Sequence, residues 1–283
     1  MKTRYAMPPM WSWQEFLDMA QRPETIDGAG RQDDRTEFAG ADWDEALRLA
    51  VDGWQVPLEQ ADVTVGTLRE RAGIGTAVTT LEPTWDVTGS EVDMALYLAG
   101  VPECMIDAVP TQTSRRGRVV TFVVPASYES NTEHHAIINR GLALATLCTA
   151  IIEAGHGVEI WSEKAVMLGR DDDERERFVA LARVISPGEP FDVGRLIFAM
   201  AHPAMLRRIW FAVTDGLDAG LAQLIHDSLY GYGPRDCYAE DLPEEITEPY
   251  LFPYLEPGDT QWDSLDSALD WCRRMFAELG LIH

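Results

Sequence analysis

The residues able to do chemistry fall just past two apolar runs. Ser127, Glu129, Ser130 and Asn131 follow Val119-Val120-Thr121-Phe122-Val123-Val124 and its terminating Pro125, and Asp215 follows Ile209-Trp210-Phe211-Ala212-Val213. Short runs rich in β-branched and aromatic residues are expected to be strands buried on both faces. Hydroxyl, carboxylate and amide groups just beyond the ends of parallel strands meet at one edge of a sheet, where α/β proteins bind ligands. Asp192, closing the loop Gly188-Glu189-Pro190-Phe191-Asp192, is a further acid for the same edge. With His134 or His135 as base, Ser127 and Asp215 also supply the residue types of a nucleophile, base and orienter. Plainer roles compete: Asp215 as cap of the helix that follows it, His134 and His135 as surface residues opening a helix, and His202, before Pro203, as a turn or helix end.

The elements that would position these groups can be read from periodicity. Ile137, Ile138, Leu142, Leu144, Ala145, Leu147, Cys148, Ile151 and Ile152 recur as on a helix laid on a sheet, Gly155 closes that helix, and Val158-Glu159-Ile160-Trp161 resumes a strand. Residues 118–164 are therefore expected to form a right-handed parallel βαβ unit. Beyond it come a short buried segment around Phe178–Val184, helices at Val193–Met200 and Leu217–Leu229, a strand from Tyr250 to Leu255, and a helix over Ser264–Leu279. Alternating strands and helices predict a doubly wound, mostly parallel α/β domain over 117–283. Residues 1–116 show helical patterns from Ser12, from Asp42 to Gly53 and from Ser90 to Leu98, a weak pattern between Trp54 and Asp86, and few strand-like runs. They are expected to be a mostly helical region that caps the sheet or extends its edge.

Composition narrows the functions. A chain of 283 residues, 46% hydrophobic and 25% charged, is long enough for an ample core without metal or disulfide staples. Its net charge of −24 repels phosphate backbones and anionic membranes, so nucleic acid and membrane are disfavoured as partners. Residues 236–270 alone hold eleven acids and neither Lys nor Arg, a face suited either to solubility or to steering a basic partner. The four cysteines are too dispersed for paired-cysteine zinc spacing and read as reduced core thiols of a cytoplasmic protein. No signal-like h-region, no uninterrupted run of eighteen apolar residues, no Walker-type Gly-Lys-Ser/Thr, no G-x-G-x-x-G and no G-x-S-x-G elbow occurs.

The strand, Ser loop, helix and strand, with the later Phe211-Ala212-Val213-Thr214-Asp215-Gly216, resemble the von Willebrand factor A fold over residues 117–283. The resemblance implies a metal-dependent adhesion edge built from an Asp-x-Ser-x-Ser loop, a Thr from a middle loop and the Asp of Thr-Asp-Gly. Ser127 and Asp215 match that pattern, and hard oxygen ligands of this kind suit Mg²⁺, but Pro125 stands where the family has its first Asp, Glu129 where it has the second Ser, and the middle loop lacks Thr, so the implied metal site is degenerate. Across the whole chain, segments including Phe38-Ala39-Gly40, Asp86-Val87-Thr88-Gly89, Leu98-Ala99-Gly100 and Asn139-Arg140-Gly141 resemble an uncharacterised family of bacteriophages and actinobacterial mobile elements. The expected function is a non-catalytic protein-interaction or assembly role at the sheet edge, in the host cytoplasm or a virion. Alternatives are a metal-dependent or Ser/His/Asp hydrolase at that edge, and a virion structural or DNA-mimicking anti-defence protein.

Overall fold

The expected βαβ unit lies at the centre of the molecule. In the computed structural model, which describes residues 4–32, 35–57, 65–71, 80–111, 118–128, 130–168, 176–228 and 237–280, Val119–Pro125 pairs in parallel with Gly157–Glu163. The helix His134–Glu153 makes the crossover between the two strands.

In chain order the described strands are β1 (Arg4–Ala6), β2 (Thr80–Asp86), β3 (Glu91–Val92), β4 (Met105–Thr111), β5 (Val119–Pro125), β6 (Gly157–Leu168), β7 (Glu176–Ile185) and β8 (Tyr250–Leu251). The helices are α1 (Trp13–Ala20), α2 (Ala29–Gln32), α3 (Thr36–Ala39), α4 (Trp43–Asp52), α5 (Val65–Arg71), α6 (Met94–Leu98), α7 (His134–Glu153), α8 (Val193–Ala201), α9 (Phe211–Asp215), α10 (Ala219–Asp227) and α11 (Leu265–Glu278). A π-helical stretch, Met205–Trp210, runs directly into α9.

The main sheet has the order β1-β7-β6-β5-β8. The β1/β7, β5/β6 and β5/β8 ladders are parallel and β6/β7 is antiparallel, so the fold is a mixed α/β with a mostly parallel sheet. Strand β7 is longer than the short buried segment expected. Phe178, Ala180, Ala182 and Val184 point into the main core while Leu181 belongs to a second cluster, and burial on both faces hides the period of two. The last expected strand is cut to Tyr250–Leu251 because Pro253 offers no N–H to the ladder; Leu255 returns only as an isolated bridge to Tyr128.

Two arrangements differ from expectation. Ile209–Val213 is helical, not a strand. Every residue from Met205 to Trp210 is buried, so no polar stripe betrays a helix, and a short apolar run does not distinguish the two states. Nor is the sheet doubly wound among the described residues. Buried residues of α1, α4, α5, α7, α8, α9, α10 and α11 share one cluster with Val120, Phe122, Val124 and Ile160. The opposite face, Val123, Trp161 and Leu181, is closed by Cys237, Ile246, Leu242 and Leu251 from a largely irregular segment.

The N-terminal residues join this core: β1 extends the sheet beside β7, and Met10, Trp13, Phe16, Ala46 and Leu49 lie in the main cluster. The sequence 80–111 instead forms its own antiparallel sheet, β2-β4-β3. Helix α7 has the length and mean hydropathy of a membrane span, yet two-thirds of that apolar stretch is covered within the protein. Its closest contact is at Gly141, where an added Cβ would stand 2.4 Å from Ala201 Cβ of α8. Gly141→Ala should therefore lower stability by about 1–3 kcal/mol in urea unfolding, although alanine is the better helix former; an unchanged or raised midpoint would contradict this packing.

Candidate functional site

At the end of β5, Ser127 is buried, and its Oγ has no hydrogen-bond partner among the described residues. It is thus in hydrogen-bond contact with none of Asp215, His134 and His135. His135 is exposed beside Glu133 (2.9 Å), and desolvation first, then Arg207, holds His134 below the usual imidazole range. Glu129 lies outside the described residues. Ser130 and Asn131 form an exposed turn.

What gathers at this edge is cationic and aromatic. Arg140 of α7 is buried and donates to the carbonyls of Pro125 (3.3 Å) and Pro253 (3.0 Å). Arg207 donates to the carbonyls of Phe38 and Ser130, with its guanidinium 3.8 Å from the Phe38 ring centre and 5.1 Å from that of Tyr128. The Tyr128 hydroxyl donates to the Pro203 carbonyl (3.3 Å), and burial pushes its pKa up to about 12. His202 Nδ1 accepts the Ala204 N–H (3.1 Å), and burial first, then His134, lowers its pKa to about 4, so the ring is neutral near pH 7. The cavity between Pro125, Tyr128, Arg140, Ser162 and His202 is about 10 Å³, room for at most a single water.

The two expected acids are elsewhere. Asp192 caps α8, accepting the Arg195 N–H at 2.9 Å. His202 ends the same nine-residue helix at the β5 edge, so Asp192 stands roughly 15 Å along the helix axis from it, at 1.5 Å per residue. Asp215 ends α9, and its Oδ2 accepts the Gly30 N–H of α2 at 2.9 Å. A Cβ at Gly28 would sit 2.2 Å from that carboxylate, so glycine is what allows the approach. Asp215 is therefore a capping residue, but for a helix far earlier in sequence; the following helix is capped by Asp218, which accepts the Gly220 N–H (3.0 Å).

These placements do not fit a divalent cation. Among the described residues no group of three or more His, Cys, Asp or Glu side chains is placed to hold a metal, and the guanidinium groups of Arg140 and Arg207 occupy the edge expected to bind one. Asp215 instead faces a charge that sequence reasoning missed. Lys164, in the middle of β6, is fully buried, with Nζ 3.3 Å from Thr214 Oγ1 and 4.7 Å from the Phe211 ring centre. Burial lowers its pKa to about 7, against the raising effect of Asp215. The available signal was Ser162-Glu163-Lys164 inside an otherwise apolar strand: polar residues there must find internal partners.

A second feature lies in the 80–111 unit. Among the described residues, six of the eleven exposed large hydrophobic side chains fall within 85–98: Trp85, Val87, Val92, Met94, Tyr97 and Leu98, from 44% to 79% exposed. They stand on a defined frame. Trp85 pairs with Ile106 across β2/β4, and its Nε1 donates to Asp93 Oδ2 (3.1 Å). The other Asp93 oxygen accepts the N–H groups of Ala95 (3.0 Å) and Leu96 (3.1 Å) and so starts α6. The Leu96 N–H first, then Trp85, holds the Asp93 carboxyl below its usual range, and it stays ionised.

Residues 1–283 match the family model described as Domain of unknown function (DUF7192). The chain belongs to that family. No curated protein and no solved structure matches it. Membership covers the main sheet, its helices and the 80–111 unit alike, and carries no activity with it.

Two measurements test the site as described. Millimolar Mg²⁺ or Mn²⁺ should shift the melting temperature by less than about 1 °C; a clear rise that disappears in Ser127→Ala would restore a cation site. Lys164 has a folded-state pKa of about 7 against 10.5 for the free side chain, so between those values the unfolded chain binds more protons and stability rises with pH. Denaturant unfolding at pH 7 and pH 9 should show a larger gain for the wild type than for Lys164→Met, and equal gains would contradict this placement.

Proposed function

We propose that this protein is a non-catalytic interaction module that docks a protein partner through the 80–111 unit. The observation that carries this reading is the concentration of Trp85, Val87, Val92, Met94, Tyr97 and Leu98 on the surface of one small sheet and its helix. Large apolar side chains exposed singly are normal on a monomer, whereas six within fourteen residues of one small unit form a larger group than that. Surfaces of this size and aromatic content mark protein contacts more often than catalysis. The β5 edge supports catalysis less well, because its arginines are committed to carbonyl oxygens and its buried Ser127 hydroxyl has no base in hydrogen-bond contact among the described residues.

An assembly role in a bacteriophage or mobile element, as the whole-chain resemblance implies, agrees with such a module. The binding surface moves, in this reading, from the edge of an A-domain-like sheet to a separate antiparallel one. Affinity capture from the source cell with wild type, with Met94→Ser/Leu98→Ser and with Val51→Ser as an exposed control should recover a partner with the first and third and lose it with the second. Retention by the patch variant, or equal loss by the control, would overturn the assignment.

A further inference from the structure

The character of the partner can be taken further, and the step rests on the docking surface just proposed. Residues 80–111 contain six acids, Glu82, Asp86, Glu91, Asp93, Glu103 and Asp107, and no Lys, Arg or His. Asp86, Glu91 and Glu103 are exposed, and they alternate in sequence with the apolar group: Asp86 between Trp85 and Val87, Glu91 beside Val92. The register places Glu91 across from Ile106, whose other neighbour is Trp85, so an acid and the indole flank one strand residue. Asp93 is tied to Trp85 and the start of α6, fixing a negative charge at the rim of the aromatic group. The same register sets Asp86 and Val92 together across from Met105, on the opposite face of the small sheet, so each face carries an exposed apolar side chain beside an acid.

We infer that the 80–111 unit binds a cationic amphipathic segment of a protein partner, with apolar side chains against exposed apolar residues of 85–98, Met94 and Leu98 of α6 among them, and Lys or Arg side chains against the neighbouring acids. Charge complementarity selects this occupant. A second copy of the chain, in the isologous contact usual for dimers, would set these acids against their own counterparts, and each copy carries −24. Nucleic acid and anionic lipid are repelled by the same field. A partner with basic residues around an apolar stripe gains long-range steering from the net charge and local pairing from the rim. Desolvating the apolar centre supplies the affinity, while the rim supplies selectivity and rate.

The test uses the full chain and three helical peptides with the same leucine face, whose other positions are Lys, Gln or Glu, followed by titration calorimetry. The Leu/Lys peptide should bind, weakening roughly tenfold between 50 and 500 mM salt, and the Leu/Glu peptide should not. Binding should fall at least tenfold in Met94→Ser/Leu98→Ser and also in Asp86→Asn/Glu91→Gln/Glu103→Gln; these exposed substitutions should leave the melting temperature within about 1 °C of wild type. Undiminished binding of the Leu/Lys peptide by the Met94→Ser/Leu98→Ser variant would show diffuse attraction to the acidic surface and overturn the inference. A Leu/Gln peptide that binds as tightly as Leu/Lys, without salt dependence, would overturn the cationic partner while leaving the apolar docking surface intact. Absence of binding by the Leu/Lys peptide at low salt also overturns it. The docking surface itself fails on a separate result, retention of the cellular partner by Met94→Ser/Leu98→Ser.

Discussion

The stretch Met205–Asp215 is buried on almost every side, and it carries two arginines, a threonine and an aspartate into the interior. Those groups need partners, and the N-terminal residues provide them. Arg207 donates to Phe38, Arg208 to Ala41 (3.0 Å) and Ala29 (3.5 Å), and Asp215 accepts from Gly30, while Thr25 donates to the Asp215 carbonyl. Each hydrogen bond to a charged group is worth about 1.5–3 kcal/mol, and stranding a buried charge costs about 3–5 kcal/mol. Residues 25–41 are thus held to the sheet by electrostatic necessity as much as by apolar contact. On the opposite flank of the same stretch, Trp210 Nε1 donates to Ser162 Oγ (3.1 Å) and Lys164 Nζ donates to Thr214 Oγ1 (3.3 Å), so these two polar residues of β6 are met by the helix that covers them.

The other face of the sheet follows a different logic. A small apolar cluster around Trp161 is ringed by charge: Arg177 pairs with Asp241, and a second Arg177 contact reaches the fully buried Glu163 at 3.9 Å. Arg183 lies 5.6 Å from the ring centres of both Trp11 and Trp161 and pairs with Glu159 (3.4 Å). An irregular segment can close a sheet face where such pairs anchor it, since its few apolar residues bury little area by themselves. Cys237 sits in this cluster, and desolvation first, then Glu163, raises its thiol well above the ordinary range, which leaves it protonated and weakly nucleophilic.

Against this buried interior, the 80–111 unit stands out for the apolar side chains of 85–98 that it leaves exposed. Its strands pair only with one another, and the side chains on its helix and turns reach solvent. A sheet of three short strands is near the lower limit of independent stability, so a surface of this kind gains from a partner. The net charge of −24 opposes contact between copies of the chain.

The sequence by itself determined the βαβ unit, the helix starts at Ser12, Asp42 and Ser264, and the class of the fold, because these show in local periodicity and end signals. It also placed the charge balance. Only the tertiary structure decided that Ile209–Val213 is helix, that helices cover one face of the sheet, and that Asp192 and Asp215 cap helices instead of joining Ser127. The reason is common to all three. A segment buried on every side loses the polar stripe that distinguishes helix from strand, and an aspartate after an apolar run has the same local sequence whether its carboxylate meets a ligand or a distant backbone N–H. The partners that settle the matter, Gly30 for Asp215 and Phe38 for Arg207, lie more than 160 residues away. For the 85–98 surface, the apolar and acidic residues were in plain view in the sequence, but their exposure was not, because an apolar side chain declares its environment only when the rest of the chain has found its place.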